Sequence, residues 1–404
     1  MDQKSALKRP AVQRNSNNAT EFWGEFPLEA EFEGSTICYK YSTDSIAAEP
    51  KTLKILALEW LSSQASENND GASELHPSLL DEGLAMLAVL VEGFLAAGHE
   101  VHTLLSPAAA RATGQQWNSR GVQVTKCDPC SKGDDPTATI LDQWALLADS
   151  ADAVWLVAPE LDGILQMAIK RLESHPQLLC CRPPMLDVAC DKLLTARAFE
   201  QQRVKQPTTW LLSECEPIKL DASPQTPLIA KRRDGAGCEG TRLIRSPEEL
   251  GKLLSEPSDQ TAWVVQTWIE GKSYSLSSFL GPYGTAWMQP VQQTVAIMQG
   301  SLAYHGSALV EQPPKLNEMV STAEKAICSL GGGALGWVGV DLVFSDIEQS
   351  WFAIEVNPRL TSSSAILSAS HSGNLIGELL DLCFLASRPK GIIGTRENMI
   401  ARFG

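Results

Sequence analysis

No apolar run in this sequence is long enough to cross a bilayer, because the longest apolar helix pattern, LAMLAVLVEGFLAAG, is interrupted by Glu92. The first twenty residues, MDQKSALKRPAVQRNSNNAT, carry basic side chains but lack the apolar stretch of a secretory leader. Together these absences predict a cytoplasmic protein without a membrane partner. Positive charge is short as well. Against 48 Asp and Glu there are 33 Lys and Arg, a net charge of −15, which argues against a broad nucleic-acid or anionic-membrane surface. Any anionic ligand must then meet a local cluster of basic groups. The pair Cys127-Asp-Pro-Cys130 has no second CxxC and no His-x-x-x-His at metal-ligand spacing, so zinc or redox chemistry there rests on a weak signal. The ten cysteines are expected as free thiols. Internal repeats are absent, and so is low complexity beyond the N-terminal Asn/Ser run.

What is present is ordinary folded-protein composition: 404 residues, 44% hydrophobic and 20% charged, enough for two or three domains with real cores. Residues 1 to about 50 are polar and without sustained period, and read as an extension. The pattern changes at KTLKILALEW, a short apolar strand that runs into a Ser/Asn/Asp/Gly loop of the kind that lines ligand sites. Leu80, Leu84, Leu87, Val91 and Phe94 then recur at helical steps, with Gly98 as a stop. HEVHTLL, ILDQWALLADS, ADAVWLVAP and GILQMAIKRLES continue as strand, helix, strand, helix. This alternation predicts a parallel sheet with helices on both faces. From about Asp187 a helix at CDKLLTARAFEQQ is followed by β segments joined by Gly turns, which predicts a second, α+β region.

Two segments of that region carry chemistry. In PLIAKRRDGAGCEGTRLIRS, Gly235, Gly237 and Gly240 match GxGxxG, but the alternating TRLI that follows is a strand and not the helix a dinucleotide fold requires. The glycines therefore join two antiparallel strands. Their N–H groups could wrap phosphate oxygens beside Lys231, although a plain glycine hairpin with a solvated Lys-Arg-Arg face fits the segment equally well. Further on, WVGVDLVF and WFAIEVN alternate about SDIEQS. A turn centred near position 348 sets Asp341 opposite Glu355 and Leu342 opposite Ile354, with Phe352, Ile354 and Val356 on a core face and Ala353, Glu355 and Asn357 on the other. Acid opposite acid is unfavourable unless a cation lies between, and two carboxylates with the Asn357 amide oxygen are hard ligands suited to Mg²⁺ or Mn²⁺ held jointly with phosphates. The kink at Gln266, Thr267, Trp268 and Ile269 exposes backbone groups able to read an adenine edge, although a tryptophan such as Trp268 is more often a core residue than a base-stacking one.

At these residues the sequence resembles the ATP-grasp superfamily, over roughly Lys51 to Ala386. The resemblance implies an α/β chain of the ATP-grasp fold: a parallel-sheet N-terminal domain at 51–186 and an ATP-grasp domain at 187–404, its lid at about 226–270 and its metal-binding part at about 271–386. It places Lys192, Lys231, Gly235, Gly237, Gly240 and Gln266 to Ile269 around ATP, and Asp341, Glu355 and Asn357 on Mg²⁺. Lys231 and Arg359, the arginine of EVNPR, become the catalytic pair. One departure stands out: many members carry a ribose-binding carboxylate just past the hinge, where this chain has Ser273.

The ILALEW, DEGLAML, IEGKSYSLS, YHG and EVNPRLTSSS segments are similar to tyramine-glutamate ligases of methanofuran biosynthesis. That similarity implies an ADP-forming ligase joining glutamate, as carboxylate, to tyramine, tyrosine or a glutamyl chain, in a setting of one-carbon metabolism. Its partners would be small-molecule carboxylates and amines, with homo-oligomerisation open. A ligase for another amino acid or peptide, or a silent ATP-binding protein, shares the same motifs.

Overall fold

The computed structural model describes residues 30–33, 36–39, 52–64 and 77–384, apart from 129, 132, 216–226, 239, 257–258, 283 and 299. Most of the polar loop expected after the first strand lies outside the described residues. Two compact units are present, Met1–Asp44 and Ser45–Gly404. In the first, strands β1 (Ala30–Glu33) and β2 (Thr36–Tyr39) pair antiparallel, where the sequence reading expects no element. Runs of four residues are too short to raise a period-2 signal.

The second unit begins with a parallel sheet of β3 (Lys54–Glu59), β4 (Glu100–Leu105), β5 (Gln123–Lys126) and β6 (Ala153–Val157), in the order β5-β4-β3-β6. Ile55, Ala57, Trp155 and Val157 enter one apolar cluster while Leu56, Leu58, Val154 and Leu156 enter another. Both faces are therefore covered, as continuous apolar strands require. Helix Pro77–Ala96 covers the first face with Leu84, Leu87, Val91 and Phe94 buried, and helices Pro136–Ala148 and Ile164–Arg171 cover the second. Strand order reverses between β3 and β6. Glu59 ends β3 and Glu160 lies just past β6, so the sheet brings two acids to its switch point, where open α/β sheets form their ligand crevice.

Two antiparallel sheets follow. β7 (Thr209–Leu211), β8 (Leu228–Arg232), β9 (Arg242–Ile244) and β10 (Trp263–Thr267) run in the order β7-β10-β8-β9. β8 and β9 pair antiparallel across the glycine segment, as the alternation of TRLI predicts. The other sheet comprises β11 (Lys272–Gly281), β12 (Gly284–Trp287), β13 (Val291–Met298), β14 (Ser301–Leu309), β15 (Gly336–Ser345) and β16 (Ser350–Asn357). Its order is β14-β13-β11-β15-β16, with β12 on β11. Helix Leu316–Ser329 packs Met319, Val320, Ala323 and Ile327 against Val338, Val340 and Leu342 of β15.

The β15–β16 pairing corrects part of the expected register. Asp341 does face Glu355, but Leu342 faces Ala353 and Val343 faces Phe352, because β16 carries one extra residue, Ile354, in a bulge. Side-chain parity changes there. Trp351 and Ala353 join Val356 in the core, while Phe352 is buried, as expected, but on the face it shares with Val343 and Asp341; the expected core assignment of Ile354 and the site assignment of Ala353 are overturned. The bulge has a physical purpose: strict alternation from Trp351 and Ala353 would drive Glu355 into the core, and the extra residue turns its carboxylate back to Asp341.

Candidate active site

Three neighbouring strands set Ser275, Asp341 and Glu355 in one row, with Asn357 opposite Gly339 at the strand end. Lys192 Nζ lies 3.4 Å and Lys231 Nζ 3.6 Å from Glu355 Oε2, and all three side chains are largely buried. Lys192 opens helix Lys192–Gln201, whose start is fixed by Asp191 accepting from the Leu193 and Leu194 N–H groups. Its backbone N–H donates to Arg233 O and its ammonium to Gly235 O, tying the helix start to the glycine segment after β8. On the other acid, Asp341 Oδ1 accepts from Gln293 Nε2 at 3.0 Å and Oδ2 from Asn357 Nδ2 at 3.1 Å. Gln293 escapes sequence reading because only the sheet order brings β13 beside β11.

The two acids are held in opposite states. Burial and then the Glu355 charge push the Asp341 carboxyl well above the usual range. Burial also works against ionisation of Glu355, but the Lys192 and Lys231 ammoniums outweigh it and hold this carboxyl low. Burial lowers Lys231, and the Glu355 charge offsets part of that. The two lysines beside Glu355 and the resistance of buried Asp341 to ionisation both relieve the like-charge contact.

The glycine segment follows β8. Gly237 and Gly240 take φ of +62° and +68°, the left-handed region in which glycine carries no steric cost. Arg233 pairs with Asp191, and Arg232 pairs with both Asp162 and Asp234. At the hinge, Gln266 is buried with Nε2 on Thr209 Oγ1, the Thr267 N–H donates to Thr208 O, and the Trp268 N–H donates to Pro227 O. Trp268 is half-buried, with Nε1 on Glu270 Oε2 at 3.1 Å. The Ile269 N–H has no partner among the described residues, which leaves one free backbone donor in the hinge.

Arg359 stands just past β16 and is held by Glu160: Nε lies 2.9 and 3.1 Å from the two carboxylate oxygens, and Nη2 lies 2.9 Å from Oε2. Burial opposes its charge, and Glu160 more than restores it. Glu160 and Glu59 were both missed from sequence. A carboxylate at the carboxyl end of each strand flanking a switch point is the signal that could have found them.

Glu59 is sealed in, accepting from the Leu61 and Ser62 N–H groups, and burial pushes its carboxyl up to about 7. A carboxyl raised on folding costs stability once pH exceeds its unfolded pKa, and the cost grows until its folded pKa is reached. Stability of the ligand-free protein should therefore fall from about pH 4.5 to about pH 7, with Asp341 adding to the same slope. In Glu59→Gln part of that slope should vanish, making the variant the more stable protein above neutrality. Urea midpoints across this range measure it, and an unaltered slope would show that Glu59 ionises without cost.

Cys127 and Cys130 are free thiols donating to the carbonyls of Asp128 and of Ser131 and Asp134. No group of three His, Cys, Asp or Glu that could hold a metal occurs among the described residues. None of the described helices is long and apolar enough to cross a membrane.

Residues 189–363 match the ATP-grasp domain, and residues 123–184 match the pre ATP-grasp 3 domain. A carbamoyl-phosphate synthase from Methanobrevibacter smithii is 22% identical over 272 residues, 59% of this chain and 71% of that protein. Among solved structures, an ATP-grasp superfamily protein from Archaeoglobus fulgidus superposes with a TM-score of 0.59 at 21% identity, covering 84% of this chain and 90% of that one. L-amino acid ligase from Bacillus licheniformis gives 0.57 at 16% identity, with 84% and 76% covered. The biotin carboxylase domain of 2-oxoglutarate carboxylase from Hydrogenobacter thermophilus, in complex with MgADP, gives 0.62 at 13%, with 86% and 72% covered. Likeness at these identities establishes the fold.

Proposed function

We propose that the chain, whose residues 189–363 match the ATP-grasp domain, is an ADP-forming carboxylate-amine ligase joining glutamate to tyramine, tyrosine or a glutamyl chain, in a methanofuran-like cofactor pathway. The observation that carries the ligase reading is the cluster itself: two lysines converge on Glu355, directly across from Asp341 and next to Asn357. The donor set fits a magnesium ion, since two carboxylates and one amide oxygen suit a hard cation that completes its shell with phosphate oxygens. Asp341, Glu355 and Asn357 would hold Mg²⁺ or Mn²⁺, which when bound supplies charge neutralisation on the phosphates.

ATP is a substrate in this reading. The substrate carboxylate and the triphosphate repel, so the chain's own cations must offset that charge. Lys192 and Lys231 are now paired to Glu355, and phosphate oxygens are stronger competitors for both ammoniums. Lid N–H groups about Gly235, Gly237 and Gly240 add dipoles. The Ile269 N–H is available for the adenine edge. Attack of the carboxylate oxygen on the γ-phosphorus gives an acyl phosphate and ADP, and attack of the amine nitrogen on the acyl carbon then expels phosphate and leaves an amide. Arg359 bears on the oxygens that gain charge.

Amine-dependent ADP release over a panel of amines and amino acids, each with glutamate, tests the reading. Turnover with tyramine or tyrosine is expected. ATP binding without turnover under every amine would favour a silent ATP-binding protein, and turnover confined to other amino acids would replace the substrate assignment.

Ser273 is the second residue of β11, opposite Val343, and is half-buried. Ser273→Glu, which supplies the carboxylate many relatives carry, should tighten ATP in a titration of the protein without amine. Weaker ATP binding would show the ribose space to be filled by another group.

A further inference from the structure

We propose that Glu160 is a positioning residue, which holds the Arg359 guanidinium by its Nε–Nη2 edge so that the remaining N–H groups of the two terminal nitrogens are presented to the reacting phosphoryl oxygens; the inference rests on the ligase reading above. Glu160 engages Nε and one hydrogen on Nη2, and Leu360 O takes one hydrogen on Nη1. A guanidinium so held keeps one hydrogen on each terminal nitrogen. Neither has a partner among the described residues, although the side chain is largely buried. The carboxylate is itself enclosed, at 5% exposure. Two charges removed from water in a two-contact geometry form a directional pair, and a freely rotating lysine could not replace the arginine in it.

Glu160 is in turn anchored by its surroundings. Its carbonyl accepts from Gly163 N–H, and Leu165 N–H closes onto Pro159 O. Asp162 and Gly163 both take positive φ, 53° and 71°, in the same turn. For a non-glycine residue that conformation carries a cost and persists where surrounding contacts hold it. Here Asp162 N–H donates to Asp234 Oδ2, and Asp162 Oδ1 accepts from Arg232 Nη2. One short turn past β6 therefore grips the arginine of the metal strand through Glu160 and the root of the lid through Asp162. Glue between segments would need only the ion pair, whereas positioning needs its length and angle.

Glu160→Asp separates these. It keeps the charge, so the arginine stays paired and the protein folds, but it is shorter by one methylene. Displacement of about 1 Å at a reacting group costs about 100-fold. The variant should bind ATP as the wild type does and lose roughly 10- to 100-fold in the rate of amine-dependent ADP release. Arg359→Gln should lose at least as much, and Arg359→Gln with Glu160→Gln should be no slower than Arg359→Gln alone, since Glu160 acts through the arginine. A second readout does not depend on the amine: fluoroaluminate should tighten Mg-ADP binding to the wild type and do so far less for Glu160→Asp. A Glu160→Asp protein with wild-type rate and wild-type tightening, beside a slow Arg359→Gln, would overturn the positioning role alone. So would losses that multiply in the double variant. If Arg359→Gln matches the wild type in both readouts, the arginine's role falls and this inference with it. If no amine supports turnover, the ligase reading fails and the fluoroaluminate comparison still decides Glu160.

Discussion

Glu355→Gln should fold, retain measurable ATP affinity, and ligate at least about 100-fold more slowly, the scale on which one transition-state electrostatic contact acts. The substitution preserves shape and removes the charge on which Lys192 and Lys231 converge, at 3.4 and 3.6 Å. Two opposing effects act on the ligand-free fold. Buried Lys231 loses its counter-ion, which is unfavourable, while Asp341 loses the like charge across the strand and ionises more easily. The fold should tolerate their sum, because the core on the other face of β15 and β16 is untouched. With ligand the balance tips: an amide is a poorer ligand for the cation than a carboxylate, so neutralisation of the phosphates is incomplete when the substrate carboxylate attacks. Thermal unfolding with and without Mg-ATP, beside ADP release, measures both halves. Near wild-type ligation would sink the metal role of this strand.

Lys231→Ala should weaken ATP binding and slow the reaction together, because a charge-assisted phosphate contact is worth about 1.5 to 3 kcal/mol, roughly 10- to 150-fold. Lys231 is 8% exposed, in β8 opposite Val264 of β10. A buried ammonium costs desolvation unless a charge faces it, and Glu355 supplies that charge in the ligand-free protein. Removing the lysine leaves Glu355 with Lys192 alone, so this carboxyl should become easier to protonate and the variant should bind Mg-ATP less well towards acid pH. Titration of ATP at several pH values, together with single-turnover rates, checks this. Unchanged affinity with an unchanged rate would place Lys231 outside the phosphate site.

The local signals in the sequence were strong where one element suffices. Alternation in WVGVDLVF and WFAIEVN, with a polar turn between, was enough to set Asp341 across from Glu355, because period-2 patterns and a short hairpin leave few registers. Apolar spacing identified helix Pro77–Ala96, and β-branched TRLI ruled out a helix after the glycines. The parallel sheet was legible from continuous apolar strands alternating with helices. Even so, the bulge at Ile354 was invisible, since it answers to the packing of Trp351 and Ala353 beneath helix Leu316–Ser329, a demand made by residues far away in the chain. Convergence of Lys192 from a helix start and Lys231 from a strand upon one carboxylate of β16, the reach of Gln293 to Asp341, and the grip of Glu160 on Arg359 across 199 positions were decided by the tertiary structure alone. Backbone hydrogen bonds and side-chain periodicity act over a few residues and can be read in order along the chain. The charges of a site are brought together by loop closure and core burial, which carry no local mark.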